Sequence, residues 1–503
     1  MLINKKIKKV MLIFPPGKVV KGHFHHADMP LGLAYLASVI RRDFEVKILD
    51  GRAKFNTRLS ENNKWEYFGF TEEEIAWQIK EYGPDVIGIT CLFSYLYEDV
   101  KSLCALVKKI DPAILLAIGG VHPTYLAEDI ISKNKDVDFI VLAEGEDTFR
   151  RLLLDIDSKR DYRYLDGLAF RVNGKSCVNP KRKFIDDLDK IPLPAYDLLP
   201  LKFYEKNAVP FSITFKSKKN APVMTSRGCP FECVFCATRN YWANRYRTRS
   251  VGNVLDEIEY LVNNFGIKEI QFIDDNLTYD QERAEKIFKG IIERKLNIRW
   301  NTPNGLAVWT LKEEMLELMK ESGCYEITVA FESGAQEVLN KIIKKPVNLE
   351  RGAEMVEKIK RLGLLVSAYF IVGFPAETKK QILQTFEFAD RLDLDGAGFF
   401  MATPTPGSDL YRICKDNGYL KEDFSFENIE YNLPNYNTEN FQSRHLEQLV
   451  LRKFNSYLMR IFLRHPIRFL KKYLRMFLAH PVMSLRTTMS DVERLLLKLC
   501  KKR

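Results

Sequence analysis

The chain has 503 residues, of which 46% are hydrophobic and 12% aromatic, and its formal net charge at pH 7 is +11. This composition can fill buried cores and excludes a disordered protein. Residues 441–503 hold 15 Lys or Arg and 3 Asp or Glu, so the rest of the chain is close to neutral. We therefore expect no nucleic-acid partner for the body of the protein, and any electrostatic partner belongs to the C-terminal tail.

The sequence contains no segment typical of export or membrane insertion. The apolar run after the basic N-terminus is about six residues long, which is too short for a signal peptide core. No uncharged apolar run reaches the roughly 18 residues of a membrane-spanning helix. Six of the nine cysteines are isolated, unlike the regular spacing of a disulfide framework. These features predict a protein of the reducing cytoplasm, with peripheral membrane association through the tail as an alternative.

Residues 1–155 alternate short apolar runs with amphipathic segments, which is typical of an α/β fold with a doubly wound, Rossmann-like parallel sheet. The predicted strands are residues 10–14, 45–49, 86–90, 115–119 and 139–142, and the predicted helices are residues 31–42, 71–82 and 96–110. Several predicted strands end in glycine-containing loops. Such loops bind ligands at the carboxyl ends of parallel strands, although tight turns alone explain each of them equally well.

The next two regions differ in pattern. Residues 156–220 lack a long periodic pattern and are interpreted as a linker with a small hairpin. In residues 221–435 the predicted strands are 222–225, 269–273, 298–301, 326–330, 365–371 and 396–400, and the predicted helices are 254–264, 283–293, 312–321 and 351–362. Six strand–helix units are fewer than a closed barrel needs, so we expect a partial (β/α)6 barrel. Active sites of parallel barrels lie at the carboxyl-terminal face, so the residues that follow each strand are the candidates.

The strongest chemical signal follows the first strand of this barrel. Cys229, Cys233 and Cys236 are spaced C-x3-C-x2-C on one short segment. Thiolates are soft ligands suited to iron–sulfur clusters, and three of them leave one iron of a four-iron cluster open for catalysis. Zinc, the main alternative, normally takes four ligands in a structural site. No fourth ligand lies near in sequence, because the next cysteine is Cys324 and the nearest histidine is His122.

The segment of residues 226–236, including Phe235 before the last cysteine, resembles the signature of the radical SAM superfamily. The resemblance implies that the cysteines bind a [4Fe-4S] cluster whose open iron binds S-adenosyl-L-methionine (SAM). It also implies that the cluster, reduced by an external electron donor, cleaves SAM to methionine and a 5′-deoxyadenosyl radical. Phe235 is expected beside this cofactor.

The resemblance continues after the later strands. Asp274 and Asp275 follow the second strand, where the family places polar groups that contact the methionine part of SAM. Glu332 and Ser333 end the fourth strand, where SAM contacts are also common. Residues 371–378 resemble the fifth-strand motif near the adenine, and residues 404–408 resemble the sixth-strand loop. Each has a simpler explanation as a helix cap, a solvated loop or a turn, but their order on one barrel face favours the functional interpretation.

The N-terminal region resembles the cobalamin-binding domain that is fused to one large class of radical SAM enzymes. The resemblance rests on residues 30–37, on Asp50-Gly51, and on two later loops with the residues Gly119, Gly120, His122, Glu144 and Gly145. It implies that the two later loops bind cobalamin. His122 is a candidate for touching the corrin ring, although a turn role is equally compatible with its position.

One departure from that family concerns the cobalt ligand. Many cobalamin domains carry D-x-H-x-x-G, whose histidine replaces the cofactor's own base on cobalt, whereas here Asp50 is followed by Gly and then Arg52. In this class the histidine is often absent and cobalamin is still bound base-off, so the resemblance implies the cofactor without histidine ligation at that site. We interpret His23, His25 and His26 as an exposed polar loop, since no carboxylate or cysteine pattern there supports a metal.

The tail, residues 436–503, alternates apolar and basic residues, and Pro466 and Pro481 are expected to break its helices. Three roles fit this pattern: a helical cap on the barrel, a helix lying on an anionic membrane, or contact with a partner. The predicted domains are therefore a cobalamin-binding domain (1–155), a linker (156–220), a radical SAM core (221–435) and a basic helical tail (436–503).

The resemblance implies an enzyme, foremost a cobalamin-dependent C-methyltransferase acting on an unactivated carbon of a hydrophobic small molecule. One SAM would supply the radical that removes a substrate hydrogen, and a second would supply the methyl group by way of cobalamin. Two alternatives remain: a cyclase or rearrangement enzyme that transfers no methyl group, and a non-catalytic cobalamin and iron–sulfur sensor. A methylthiotransferase is disfavoured, because those enzymes carry a second set of three cysteines in the N-terminal domain, which here holds Cys91 and Cys104, with Cys177 beyond it.

Overall fold

The computed structural model describes residues 5–21, 28–60, 65–207, 215–429, 431, 433–467, 470 and 474. The chain folds into two compact units, each of which makes most of its contacts within itself. The first unit comprises Met1–Ile185, Lys190–Lys218 and Leu470–Arg503, and the second comprises Asp186–Asp189 and Lys219–Phe469. The four-domain boundaries predicted from the sequence stay predictions. The histidines at positions 23, 25 and 26 lie outside the described residues.

The first unit is built around a seven-stranded sheet. The strands described in this unit are β1 (Lys9–Phe14), β2 (Gly17–Val20), β3 (Glu45–Asp50), β4 (Thr57–Leu59), β5 (Trp65–Phe68), β6 (Val86–Thr90), β7 (Leu115–Gly119), β8 (Phe139–Val141), β9 (Leu168–Val172) and β10 (Lys175–Asn179). The main sheet has the order β10-β9-β8-β7-β6-β1-β3, and β2, β5 and β4 form a small antiparallel sheet. All five predicted strands are present, as the continuous apolar runs of a buried parallel sheet lead one to expect.

Helices connect these strands. Those described are α1 (Leu31–Ile40), α2 (Glu72–Tyr82), α3 (Tyr97–Ile110), α4 (Val121–Tyr125), α5 (Ala127–Lys133), α6 (Glu146–Asp157) and α7 (Leu201–Asn207). The predicted helices are confirmed to within two residues at each end. Thr71 and Glu74 form a capping box that starts α2, and Gly83 in the left-handed region ends it. The start of α3 shifts by one residue because a short 3₁₀ turn, Ser94–Leu96, precedes it.

The strand order of the first unit identifies where a ligand would bind. Strands β1, β3, β6, β7 and β8 are parallel, and the chain proceeds from β1 to β3 on one side and then to β6, β7 and β8 on the other. Ligands of such sheets bind outside the carboxyl ends of the strands, at the point where the order reverses. Here that point lies between β1 and β6. The predicted hairpin of the linker region is also present, and its β9 extends the same sheet by pairing antiparallel with β8.

The second unit contains a six-stranded parallel sheet. Its strands are β11 (Asn220–Val223), β12 (Ser226–Arg227), β13 (Arg247–Thr248), β14 (Glu269–Phe272), β15 (Arg299–Leu306), β16 (Cys324–Glu332), β17 (Leu365–Val372) and β18 (Gly396–Met401). The order β11-β14-β15-β16-β17-β18 follows the chain, and β12 and β13 form a separate two-stranded ladder. This is the strand order of a barrel that is not closed, so the prediction of six strands is confirmed. Strand β15 runs past its predicted end through Pro303 and Gly305, where a shift in register accommodates both residues.

Helices again alternate with the strands of this sheet. Those described are α8 (Thr238–Tyr241), α9 (Val251–Phe265), α10 (Gln281–Glu293), α11 (Glu313–Glu321), α12 (Leu349–Arg361), α13 (Lys379–Leu392), α14 (Asp409–Asp416) and α15 (Ser443–Arg464). A short π-helix, Val338–Ile343, follows β16. Polar side chains at residues 250, 280, 348, 378 and 408 cap the starts of α9, α10, α12, α13 and α14.

Helix α15 is the first part of the basic tail, and it packs onto the barrel. Leu446 and Val450 are buried in one cluster with Val372 of β17 and Phe386 of α13. The helix ends at Arg464, two residues before Pro466, as the proline predicts. Among the described residues, no helix is long and apolar enough to cross a membrane.

The packing of α15 gives a testable expectation for stability. Replacing Leu446 with Ala removes a buried side chain, and we expect a loss of about 2–4 kcal/mol in the free energy of unfolding of the second unit. Leu463→Ala on the same helix is the matched control, because Leu463 is 69% exposed and should change that free energy by less than about 0.5 kcal/mol. Urea unfolding measures both. Equal effects would mean that α15 does not belong to the barrel core.

Candidate metal centre and cofactor sites

The three cysteines lie on a loop that follows β11 and β12 (the Cys loop, residues 228–236). The backbone N–H of Cys236 donates to the carbonyl oxygen of Cys233 at 3.0 Å, which closes a tight turn between these two cysteines. Gly228, directly before Cys229, has a φ of +91°, and a Cβ there would lie 1.9 Å from the carbonyl oxygen of Arg245. Both the backbone conformation and the lack of space therefore require glycine directly before Cys229.

Two carboxylates that follow β14 hold the entrance to the Cys loop. Asp274 is buried and accepts hydrogen bonds from the Thr225 backbone N–H at 3.1 Å, the Thr225 hydroxyl at 2.7 Å and the Ser226 hydroxyl at 2.5 Å. Asp275 accepts one from the Gly228 N–H at 3.0 Å. From the sequence, both carboxylates are expected to contact SAM. The structure places them against the backbone that leads into the loop, and contact with SAM stays a prediction.

A guanidinium also binds the backbone that leads into the Cys loop. Arg283 of α10 donates to the Thr225 carbonyl oxygen at 2.7 Å and to the Arg249 carbonyl oxygen at 2.7 Å. Its side chain is buried, and burial lowers the pKa of Arg283. Burial likewise raises the pKa of Asp274. The carboxylate and the guanidinium therefore both bind Thr225, one through its N–H and hydroxyl and the other chiefly through its carbonyl oxygen, which fixes the strand in front of Gly228.

The far side of the Cys loop is held by two other elements. The N–H of Val234 donates to the carbonyl oxygen of Ile343, at the end of the π-helix, at 3.1 Å. The N–H of Leu410 donates to the carbonyl oxygen of Val234 at 2.8 Å, and the Asn240 side chain donates to Gly407 at 2.7 Å. The sixth-strand loop predicted from the sequence, residues 404–408, thus contacts α8 directly after the Cys loop, and Leu410 just beyond it contacts the Cys loop itself.

The thiols themselves are partly buried. Burial raises the pKa of Cys229 to about 11 and that of Cys233 to about 12, and it also raises the pKa of Cys236. Free thiols here are protonated at neutral pH, so metal binding must displace protons. Among the described residues, no group of three or more Cys, His, Asp or Glu side chains converges on a single metal ion. A four-iron cluster does not require its ligands to converge on one ion, because each cysteine binds a separate iron.

The end of β16 holds a buried ion pair. Glu332 lies in the left-handed region, with a φ of +66°, and accepts from Lys345 Nζ at 2.6 Å. Ser333 accepts from the Ala335 N–H at 3.1 Å and so shapes the turn. Glu332 and Ser333 were predicted from the sequence as site residues, whereas Lys345 was not. A Lys-Lys-Pro run is typical of an exposed turn, and only the folded chain shows that its second lysine is buried.

The loop after β17 lies beside Phe235. Its Glu377 is fully buried and accepts from the N–H groups of Gly373 at 2.6 Å and Phe374 at 3.0 Å. Burial raises the pKa of Glu377 to about 7. The ring of Phe235 lies 6.1 Å from that of Phe374, centroid to centroid. The Tyr436 hydroxyl donates to the Gly373 carbonyl oxygen at 2.6 Å, so this loop is braced from two sides.

In the first unit, the glycine-rich loop after β7 contains a buried histidine. Gly120 has a φ of +111°, and a Cβ there would lie 2.6 Å from the carbonyl oxygen of Cys91, so the loop between Gly119 and His122 needs glycine. The His122 ring is 1% exposed and lies 4.6 Å from the Tyr97 ring. Burial lowers the pKa of His122 to about 4. Neither ring nitrogen has a hydrogen-bond partner within the described part of the chain.

The other predicted loop of the first unit has a structural task. Glu144 is buried, and its carboxylate accepts from the N–H of Ile185 at 2.7 Å. Gly145 directly precedes α6, in a right-handed conformation. Contact of Glu144 and Gly145 with cobalamin stays a prediction, while the observed bond ties this loop to the segment that follows the hairpin.

The segment that lacks the cobalt-binding histidine is ordered by other contacts. Asp50 is buried and accepts from the Tyr204 hydroxyl at 2.6 Å and from the N–H of Arg52 at 3.0 Å. The guanidinium carbon of Arg52 lies 3.8 Å from the centre of the Phe14 ring. Arg52 therefore lies at the carboxyl ends of β1 and β3. Tyr204 was not predicted from the sequence, because it is 154 positions away from Asp50 in the chain.

The residues present in each unit fit the cofactor that the sequence implies for it, an iron–sulfur cluster in the second unit and cobalamin in the first. Three thiols on one short loop that is held by hydrogen bonds at both ends suit a cluster with three cysteine ligands. In the first unit, the His122 ring nitrogens are buried without a partner among the described residues, beside a loop of glycines at the edge where such sheets bind ligands. A bound cofactor with polar groups would satisfy these nitrogens.

The geometry of Gly228 yields a prediction about the cluster. In Gly228→Ala the added methyl group collides with a backbone oxygen, so the Cys loop must move and the iron and sulfide content after anaerobic reconstitution should fall severalfold. Gly252→Ala is the control, because a Cβ at Gly252 meets nothing within 4 Å, and its iron content should equal that of the wild type. Full iron content in Gly228→Ala would contradict the argument.

Comparison with known proteins identifies two domain families in this chain. The profile of the radical SAM superfamily matches residues 223–389, and that of the B12 binding domain matches residues 17–153. An uncharacterised methyltransferase of Pyrococcus horikoshii is 34% identical over 463 residues, which cover 90% of this chain and 93% of that one. Cytidylyl-2-hydroxyethylphosphonate methyltransferase of Streptomyces wedmorensis is 32% identical over 460 residues, 85% of each chain.

A solved structure supports the same fold. The cobalamin-dependent SAM radical enzyme OxsB, with aqua-cobalamin and SAM bound, superimposes with a TM-score of 0.72 at 16% identity, over 95% of this chain and 72% of that one. The cofactors of this chain are accordingly a [4Fe-4S] cluster, SAM and cobalamin. The chain belongs to the radical SAM superfamily, as an enzyme that carries an N-terminal B12-binding domain.

Proposed function

We propose that the protein is a C-methyltransferase that methylates an unactivated carbon of a hydrophobic small molecule. The observation that carries this proposal is the similarity, along most of both chains, to two proteins named as methyltransferases. When bound, the cluster and SAM supply a 5′-deoxyadenosyl radical, and cobalamin supplies the methyl group. The residues of this chain bind these groups, orient them and keep water away from the reacting atoms.

In this proposal the residues of the second unit have separate tasks. Cys229, Cys233 and Cys236 hold three irons, and the fourth is left for SAM. Phe235 and the braced loop after β17 line the site, because the Phe235 and Phe374 rings are neighbours. Asp274, Asp275, Glu332 and Ser333 are retained as SAM-binding candidates, since they follow strands at the carboxyl edge that carries the Cys loop.

In the first unit the proposed cobalamin contacts are the loop glycines 119 and 120, His122, Glu144 and Gly145. His122 supports this proposal most directly, because its ring is neutral at pH 7 and can both donate and accept a hydrogen bond. The position that carries the cobalt-binding histidine in other cobalamin domains is Arg52. A permanently charged guanidinium has no lone pair for a metal, so this chain would hold cobalamin without a protein ligand at that site.

The hydrophobic substrate is supported by one face of the barrel sheet. Alternate residues of β17, among them Val372, are buried with α13, whereas Tyr369 and Ile371 on the opposite face are partly exposed. The ring of Phe400 on β18 lies 5.7 Å from that of Tyr369 and is 36% exposed. These side chains offer apolar surface at the carboxyl half of the sheet. The external electron donor is likewise a proposal, supported by the partial exposure of the Cys loop.

The proposal predicts label transfer from SAM. We expect full-length protein, purified anaerobically from cells given hydroxocobalamin, to contain about one base-off corrin per chain beside its cluster. With SAM labelled in the methyl group, a reductant and a hydrophobic acceptor, the label should enter the product. Mass spectrometry of product and deoxyadenosine measures both.

Controls separate the alternatives. Cys236→Ala should form no deoxyadenosine, because one iron loses its thiolate, whereas Cys177→Ala, which lies outside the Cys loop, should behave as the wild type. Deoxyadenosine without label in the product would favour a cyclase or rearrangement enzyme. Absence of deoxyadenosine in the wild type under strong reduction would favour a cobalamin and iron–sulfur sensor.

We also propose that the basic tail contacts an anionic lipid surface. On the side of α15 turned away from the barrel, Met459 is 58% exposed and Leu463 69%, and Ile467 just beyond the helix is also 69% exposed. Met459 and Leu463 are four residues apart, which places them on one side of α15, and Ile467 follows after the helix has ended at Arg464. The surplus of Lys and Arg in residues 441–503 complements anionic headgroups, and basic amphipathic helices bind such surfaces. A cytoplasmic location stays a prediction, supported by the free thiols of the described cysteines.

Vesicle sedimentation tests the lipid contact. Full-length protein should sediment with phosphatidylglycerol vesicles and much less with phosphatidylcholine vesicles, and the triple variant Met459→Glu, Leu463→Glu, Ile467→Glu should lose most of this binding. The triple variant Gln448→Glu, Asn455→Glu, Ser456→Glu changes the charge equally at exposed polar positions and should retain more. Equal losses in both variants would show that charge alone binds the lipid, and no sedimentation of the wild type would refute the contact.

A further inference from the structure

Lys345 is a buried lysine beside the Cys loop, and no step described above uses it. The residue is 7% exposed, and its ammonium lies 2.6 Å from Glu332 Oε1 and 5.4 Å from the centre of the Trp309 ring. Lysine is rarely buried, because removing its charge from water costs several kcal/mol. A hydrophobic residue would fill the same space at lower cost, so the ion pair needs another explanation.

The backbone around the pair is unusual on both sides. Lys345 follows the π-helix Val338–Ile343 and a left-handed residue, Lys344, with a φ of +61°. Its partner Glu332 is left-handed too, where β16 ends in a register shift. A non-glycine residue in the left-handed region of backbone conformation destabilises the folded state. Such residues, like π-helices, occur preferentially at functional sites. Two independent distortions thus converge on one charged pair.

The same π-helix is joined to the Cys loop. The carbonyl oxygen of Ile343, two residues before Lys345, accepts the Val234 N–H, and Val234 directly follows Cys233. The ammonium of Lys345 in turn lies 2.6 Å from Glu332 Oε1. These two bonds hold a buried cation and its carboxylate partner next to the segment that contains Cys233. A cation at this position favours added negative charge on the cluster, and the carboxylate opposes it.

We propose that Lys345 raises the reduction potential of the iron–sulfur cluster, and that Glu332 moderates this effect. The inference rests on the proposed placement of the cluster on the three cysteines. The cluster takes up one electron from an external low-potential donor, and no bond in the protein forms or breaks. A cluster with three thiolate ligands becomes more negative on reduction, so a buried cation at fixed distance favours the reduced form.

Potentiometric titration followed by electron paramagnetic resonance tests this inference on full-length, reconstituted protein without SAM. Lys345→Met should shift the potential negative by at least about 59 mV, which is a tenfold change in the ratio of reduced to oxidised cluster. Glu332→Gln should shift it in the positive direction. The double variant Lys345→Met, Glu332→Gln removes both charges and should lie close to the wild type, whereas Lys345→Arg should retain the wild-type potential.

The chain offers a matched control on the same π-helix. Lys341 and Glu337 form an exposed ion pair at 2.8 Å, and solvent screens such a pair. Lys341→Met should therefore leave the potential unchanged. If Lys345→Met does not retain iron, Glu332→Gln still decides the question, because it keeps the lysine and predicts a shift of known sign.

The outcomes separate this inference from the proposed function. Wild-type protein without iron and sulfide would refute the cluster itself. Intact clusters with equal potentials in the wild type, Lys345→Met and Glu332→Gln would overturn the role of Lys345 alone. A potential that differs from the wild type only after SAM is added would also overturn it, because Lys345 would then bind the carboxylate of SAM.

Discussion

The second unit depends on the hydrogen bonds between the carboxylates after β14 and the backbone that enters the Cys loop. Parallel strands bring their carboxyl ends to one edge, so the residues that follow β14 meet the residues that follow β11. Asp274 binds Thr225 and Ser226, and Asp275 binds Gly228. Buried carboxylates satisfied by N–H and hydroxyl donors are strong, directional restraints. Without them the loop would have to order three thiols by its own short sequence.

Much of the fold could be predicted from the sequence because each strand and helix satisfies its local pattern. Apolar runs and amphipathic periodicity located all eleven predicted strands, and the predicted end of β15 was wrong because a bulge lets Pro303 and Gly305 stay in the strand. The cysteines were evident because ligand spacing is a property of the chain itself. The hydrogen bonds by which Asp274 holds the start of the Cys loop, and the burial of Lys345, could not be predicted from the sequence. Hydrogen-bond partners and burial arise only when distant segments of the chain meet. The predicted contacts with SAM and cobalamin remain predictions for the same reason.

The two units restrain their cofactor loops by different means. In the second unit the Cys loop is held by charged side chains and backbone hydrogen bonds from several elements. In the first unit the loop after β7 is shaped by close packing, since Gly120 lies against Cys91 and the His122 ring lies against that of Tyr97. Metal ligands need fixed positions, and the hydrogen bonds of the Cys loop are of the kind that fixes them. For the loop after β7, contact of its glycines and of the neutral His122 with cobalamin stays a prediction.

The contribution of α15 to the barrel has a practical consequence for anyone who divides this protein. Leu446 and Val450 complete a core that includes β17 and α13, and the Tyr436 hydroxyl braces Gly373 beside the Cys loop. A fragment that stops at residue 435 would expose that core to water and free the loop near Phe235. Such a fragment should precipitate or lose its cluster even though it contains all three cysteines of the Cys loop. Spectroscopic work on an isolated second unit therefore has to retain the chain through Arg464.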